Sequence, residues 1–295
     1  MGGDMGVGAD RVPGPSSSAA EITGRAAAQA TGENFPVALR LLPARYRYHL
    51  AAVYGFARSA DDMGDEAAPG ERLRLLGELE ADLDRLYAGG TPGLAVVRAL
   101  GPAVTQCSIP AQPFRDLIQA NRQDQEVSRY PAFADLLDYC RLSANPVGRI
   151  VLCVFGAATG EREALSDRVC TALQLAEHWQ DVAEDYRAGR VYLPQEDLAR
   201  FGVSERELAA AAAPARLREL MAFEVDRARK LLDDGAPLTG TLRGAARIAV
   251  AGYVAGGRAA LRAISAAGHD VLTATPRPRK ARLAAEMARA YATGR

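Results

Sequence analysis

The sequence predicts an all-α fold, and three observations carry that prediction. From Asn34 onward, apolar residues recur at helical spacing almost everywhere. Glycine and proline cut this pattern into helix-sized pieces. Strand-like alternation is nearly absent, "GRVYLP" (Gly189 to Pro194) being the one short exception. No fixed-period repeat is visible, which argues against a helical solenoid. The expectation is a single domain of roughly ten helices with an undivided core.

Taken in order, residues 1–28 are rich in glycine, proline and serine, lack apolar periodicity, and read as a disordered lead-in. The Met-Gly start is followed by Gly6 where myristoylation wants serine or threonine. The catalytic domain is expected over residues 29–275. Its first clear helix, "YRYHLAAVYGFARSADDMGDE", places Leu50, Val53, Tyr54 and Ala57 on one stripe. "ERLRLLGELEADLDRLY" repeats the device with Leu73, Leu76, Leu79, Leu83 and Leu86. Breaks are expected at Pro69-Gly70, Gly89 to Pro92, Gly101-Pro102, Pro110, Pro131, Gly160, Gly189, Pro194, Pro214 and Pro237. Residues 276–295 form a basic terminal helix or tail, with Leu283, Met287 and Ala290 on one side.

Composition excludes several classes. Thirty-six basic side chains balance thirty-six acidic ones, so no global field draws the chain to nucleic acid. The balance is uneven, with ten arginines or lysines against two acids from Gly240 to Arg295. The four cysteines form no C-x-x-C pair and suit buried free thiols in a reducing compartment. His49, His178 and His269 are too far apart for a histidine-rich zinc site. No apolar run of about eighteen residues suggests a membrane span, and no signal peptide is apparent. The expected location is the cytoplasm. The basic C-terminal segment is a candidate for reversible contact with anionic membrane.

The chemistry lies in two carboxylate clusters. Residues four apart on a helix share a face, with Cβ atoms roughly 5–6 Å apart. Asp61 and Asp65 therefore project together, as do Asp181 and Asp185, with Asp62 adjoining the first pair. Like charges so placed repel, and something must offset this in both clusters. Neither cluster reads as a solvated face: each directly follows an apolar stretch, "HLAAVYGFA" or "LQLAEHWQ". Gly64, costly inside a helix by about 1 kcal/mol relative to alanine, permits close approach by a neighbour. Arg58 precedes the first cluster, and Arg187 and Arg190 follow the second. Carboxylates are hard oxygen ligands suited to Mg²⁺, which shares its coordination with substrate phosphates. Arginines could hold further phosphate oxygens bidentately. The chemistry that needs this set is departure of diphosphate from an allylic carbon into an apolar cavity.

At this point the sequence resembles the squalene/phytoene synthase family. The likeness rests on "LLP", "YGFARSADDMGDE", "YCRLSANPVG" and "LQLAEHWQDVAEDYRAGRVYLP", in that order, over residues 34–265. It implies a class I isoprenoid synthase: a helical bundle around a central apolar cavity, acting on a prenyl diphosphate with several Mg²⁺ ions. By position, Asp61, Asp65, Asp181 and Asp185 look like the metal-binding aspartates, with Asp62 assisting. Tyr54, Arg58, Gln174, Arg190 and Tyr192 resemble the diphosphate contacts, and Phe35, Val147 and Leu173 the cavity wall.

Departures bear on the reaction. Arg141 stands where head-to-head synthases carry a second tyrosine, Asn145-Pro146 alters the polarity of that segment, and Glu177 and Gln180 replace an asparagine and an arginine. Together with "ENFPVA" and "WQDV", these resemble the hydroxysqualene synthase branch of hopanoid pathways. That branch implies loss of diphosphate from presqualene diphosphate, cation rearrangement and water addition, a lyase reaction without NADPH. Arg141 and Asn145 are the candidate polar residues for it, and Asn145 is also expected to cap a proline kink. Enzymes supplying the substrate and consuming the product would be partners. Two alternatives stay open: a prenyltransferase condensing two farnesyl diphosphates or making phytoene, and a non-catalytic assembly factor. Tyr139, Trp179, His178, Cys140 and Cys153 read as core residues.

Overall fold

Helix α1 (Ala44–Asp65) starts directly after Pro43, whose carbonyl accepts hydrogen bonds from the amides of Tyr46 and Arg47 at 3.0 and 3.3 Å. The computed structural model describes Ala19, residues 42–278 and residues 280–294, the side chains of 280–285 excepted. Phe35 and nearly all of residues 1–28 lie outside the described residues. Ala19 is helical and fully buried, where composition predicts no order.

The next helices are α2 (Arg72–Tyr87), α3 (Ala95–Cys107), α4 (Gln112–Gln123), α5 (Phe133–Ser143), α6 (Asn145–Val154) and α7 (Gly160–Gln180). Then come α8 (Val182–Arg187), α9 (Gln195–Arg200), α10 (Ala215–Gly235), α11 (Leu238–Thr241), α12 (Gly244–Ala266) and α13 (Lys280–Thr293). Three of these are single turns or little more, which leaves ten substantial helices among the described residues, in line with the roughly ten that the pattern predicts. The strand-like "GRVYLP" contributes one isolated parallel bridge, Arg129 to Val191. Val191 N–H donates to Ser128 O, and Gln195 N–H to Tyr130 O, each at 2.9 Å, fixing this segment beside the chain that leaves α4.

Several details differ from the sequence reading. The buried face of α1 runs through Leu50, Val53, Phe56, Ala60 and Met63, leaving Tyr54 exposed at its edge. On α2 the buried set is Leu75, Leu76, Leu79 and Leu83, while Leu73 is exposed. Gly101-Pro102 does not break α3. Proline removes the bond to the carbonyl of Arg98, an exposed residue, so water can take the place of the lost amide. Asn145 does not cap the kink after α5. Ala144 occupies the cap, with φ −112° and ψ −49°, and the buried Asn145 instead accepts a 2.9 Å hydrogen bond from Thr171 Oγ1.

The core is also divided. One cluster joins α1, α2, α3 and α4, with Phe56, Leu76, Leu79 and Phe114 at its centre. The other joins α5, α7, α10 and α12 around Trp179, Leu175, Leu220 and Val254. Helix α6 serves both: Ile150 and Val154 face the first, Leu152 the second. It lies so close to α7 that a Cβ on Gly148 would stand 2.3 Å from Ser166 Oγ. Helix α13 packs along α12, and Ala290 belongs to the second core. Among the described residues, no helix is long and apolar enough to cross a membrane.

Candidate active site

The two aspartate pairs come from opposite sides of this divided core and face one cavity of about 360 Å³. Asp61 and Asp65 sit on the last turns of α1. Asp181 and Asp185 sit at a break, since Asp181 (φ −104°, ψ 15°) ends α7 and α8 begins at Val182. The break preserves their spacing: the Asp185 amide still donates to the Asp181 carbonyl at 2.9 Å. Both pairs thus stand one helical turn apart, as the sequence spacing predicts.

Two arginines enter the same cavity. Arg190 donates to Asp65 Oδ1 at 2.6 Å, and its own amide is tied to the Asp185 carbonyl at 2.8 Å. Arg58 bridges Asp62, at 2.7 Å, and Glu66, at 3.0 Å. Gln174 and Tyr192 complete the predicted residues that line it. Gly64 explains the approach of α4: a Cβ there would lie 2.4 Å from Asn121 Oδ1, so only glycine lets Asn121 reach Asp61.

Other candidates lie elsewhere. Asp62 is buried against Arg58 and does not line the cavity. Arg141 points away, its side chain 68% exposed and paired with Asp138. Asn145 is enclosed between α6 and α7, and Tyr54 lies on the outer edge of α1. Val147 and Leu173 do sit together, with Val151, Val169 and Val250, around an apolar cavity of about 100 Å³.

Several lining residues escaped the sequence reading. Asn121 donates to Asp61 Oδ1 at 3.1 Å. Tyr139 donates to Asp124 Oδ2 at 2.8 Å. His178 stacks on Tyr192 with ring centroids 3.7 Å apart, and its Nε2 lies 3.1 Å from Gln174 Nε2. Glu177 and Ser143 line the cavity too. A signal for Asn121 and Asp124 was present: they continue the Leu117 stripe of α4 as polar residues on an otherwise buried face.

The electrostatics are strained in one direction. Six carboxylates line the cavity with two arginines. Burial, then repulsion from Asp181, pushes the Asp185 carboxyl up to about 7. Burial likewise raises Asp61, offset in part by the Asn121 hydrogen bond, and it raises Glu177 and Asp181. Asp124 is pushed up to about 6, again chiefly by burial. His178 moves the other way, to about 3, because burial and then Arg190 disfavour its charged form. It is a neutral ring at physiological pH.

This donor set fits Mg²⁺. It consists of carboxylate oxygens whose mutual repulsion a divalent cation would relieve. Among the described residues no three side chains already form a metal cage, which suits an ion held by one or two carboxylates and completed by substrate phosphates and water. Asp61, Asp65, Asp181 and Asp185 are the residues that could hold it.

Comparison with known proteins agrees with this geometry. Residues 28–285 match the squalene/phytoene synthase family. The hydroxysqualene synthase of Sinorhizobium fredii is 37% identical over 214 residues, 72% of each chain. The phytoene synthase of Mycobacterium bovis is 34% identical over 199 residues, 66% of this chain and 65% of its own. The crystal structure of squalene synthase HpnC from Alicyclobacillus acidocaldarius superposes with a TM-score of 0.78 at 41% identity, covering 85% of this chain and 95% of that one. The matched segment spans both aspartate clusters and nearly every described helix, and the chain belongs to the squalene/phytoene synthase family.

Proposed function

We propose that the protein is a hydroxysqualene synthase, converting presqualene diphosphate to a C30 alcohol by loss of diphosphate, cation rearrangement and capture of water. The observation that carries this reading is the convergence of two aspartate pairs and two arginines on one cavity, beside an apolar pocket walled by Val147 and Leu173. The likeness to the Sinorhizobium fredii hydroxysqualene synthase supports the choice of reaction.

Asp61, Asp65, Asp181 and Asp185 would hold Mg²⁺, which when bound supplies Lewis-acid stabilisation of the departing diphosphate's charge. Arg190 and Arg58 are set to bind diphosphate oxygens, Arg190 being pre-aimed by its bond to Asp65. Leu152, Val169 and Leu173 line the apolar pocket with hydrocarbon, which offers a cation no competing nucleophile. Neutral His178, stacked on Tyr192, offers no competing charge.

The test is incubation with presqualene diphosphate and Mg²⁺ in ¹⁸O-labelled water, without NADPH. A labelled C30 alcohol is expected. A hydrocarbon formed only with NADPH, or no turnover, overturns the reading. A second reading, condensation of two prenyl diphosphates, is favoured by the 34% identity to a phytoene synthase. Supplying farnesyl or geranylgeranyl diphosphate alone in a parallel reaction tests it.

A further inference from the structure

Water capture needs a polar group that holds one water beside the cation, and the two candidates suggested by sequence are both committed elsewhere. Arg141 faces solvent in a pair with Asp138. Asn145 Oδ1 is occupied by Thr171. Ser143, between them in sequence, is different. It lines the carboxylate cavity, and its Oγ is buried yet makes no hydrogen bond within the described protein. A buried hydroxyl without a partner gives up its hydration and gains nothing in return, so such groups are rare without a purpose. A helical serine also has an easy alternative, bonding back to the carbonyl four residues earlier. Ser59 does so, to Gly55 at 2.8 Å, whereas Ser143 does not.

Its position along the wall is equally specific. Tyr139, one turn earlier on α5, lines the polar cavity. Val147, four residues later on α6, lines the apolar pocket. Ser143 is therefore the last polar-cavity residue on this wall before the apolar pocket. On the facing helix α7 the same boundary falls between Leu173 in the apolar pocket and Gln174 in the polar cavity. A prenyl chain lying in the apolar pocket with its diphosphate among the aspartates would place its reacting carbons at this boundary.

We propose that Ser143 Oγ positions the water that captures the carbocation. This inference rests on the water-capture reading above. The substrate's C–O bond breaks with its electron pair passing to the diphosphate oxygen. The water accepted at Ser143 Oγ keeps an oxygen lone pair free, and that pair forms the new C–O bond. The proton released from the resulting oxonium passes to the departing diphosphate. One water is consumed, one alcohol and one protonated diphosphate result, and no oxidant or reductant takes part.

The experiment compares wild type, Ser143→Ala and Ser143→Thr with presqualene diphosphate and Mg²⁺ in ¹⁸O-labelled water, quantifying released diphosphate and C30 products together. In Ser143→Ala, diphosphate release should stay within about threefold of wild type. The ratio of labelled alcohol to proton-loss hydrocarbon should fall about tenfold, the effect of one lost hydrogen bond of ordinary strength. Ser143→Thr, which keeps the hydroxyl, should recover most of the alcohol. An unchanged ratio in Ser143→Ala overturns the role while leaving the hydroxysqualene synthase reading intact. Equal loss of diphosphate release and alcohol, with an unchanged ratio, marks a merely structural residue and overturns it too. Absence of labelled alcohol from the wild type overturns both.

Discussion

Asn121 Nδ2 donates to Asp61 Oδ1 at 3.1 Å across a gap that exists because residue 64 is glycine. The same amide also donates to the Leu117 carbonyl at 3.1 Å, so α4 holds the Asp61 carboxylate in one orientation. Gly64→Ala should push Asn121 aside and let Asp61 swing. Alanine improves helix propensity by about 1 kcal/mol, yet kcat/KM should fall at least about tenfold, because small displacements at a reacting site are costly. Steady-state kinetics beside a thermal melt checks this. Unchanged kinetics would show that the Asn121 contact does not orient the carboxylate.

Asp61→Ala and Asp181→Ala should each lower turnover by orders of magnitude at saturating Mg²⁺. Neither variant should melt below the wild type when both are metal-free, because each removes a carboxylate from a crowd of like charges. Turnover near the wild-type level in either variant would remove that aspartate from the metal set.

Arg190→Lys should raise KM and lower kcat/KM by about tenfold to a hundredfold. A lysine keeps the charge but loses the planar fork that reaches both Asp65 and a diphosphate oxygen. Arg141→Ala is the counterpart. Its guanidinium is exposed and, among the described residues, paired with Asp138 on its own helix, so activity should stay within about twofold. Kinetics on the two variants side by side discriminates: a large loss in Arg141→Ala would restore the role its sequence position suggests.

Glu224 supplies a pH dependence remote from the cavity. It is fully buried on α10, with Arg227 at 3.4 Å, and Arg227 in turn holds Asp197 at 2.9 Å. Burial pushes its carboxyl up to about 8, with Arg227 opposing and Asp197 adding to the shift. The folded state then retains a proton that the unfolded chain releases near the ordinary glutamate value of 4.5. Stability therefore declines as pH rises between those two values, at up to on the order of 1 kcal/mol per pH unit. Glu224→Gln, permanently neutral, should match wild type near pH 5 and exceed it near pH 8. Chemical denaturation across that range measures the difference, and parallel curves would contradict it.

Much of this was legible in the sequence because helical spacing states which residues share a face. The aspartate pairs needed only that rule, and they stayed together even where α7 broke into α8. Arg58, Gln174, Arg190 and Tyr192 reached the cavity through the order of motifs in the family resemblance. What spacing could not show is direction around a helix that is buried on more than one side. Asp62 neighbours Asp61 in sequence but turns about 100° away from it on a helix of 3.6 residues per turn, into the hold of Arg58. Arg141 and Asn145 likewise lie on faces away from the cavity. Tyr139 and His178 read as core residues from sequence, and Asp124 escapes the sequence reading, because the contacts that bring them to the cavity join separate elements. The Tyr139–Asp124 bond joins α5 to the turn after α4, and no local pattern encodes that meeting.

The division of the core around α6 has a mechanical consequence. Asp61 and Asp65 are mounted on one packed body, Asp181 and Asp185 on the other, and the cavity lies along the seam between them. A diphosphate gripped from both sides acts as a clasp across that seam. It binds the docked arrangement alone, so occupancy should stiffen regions of both bodies far from the ligand and make their opening concerted.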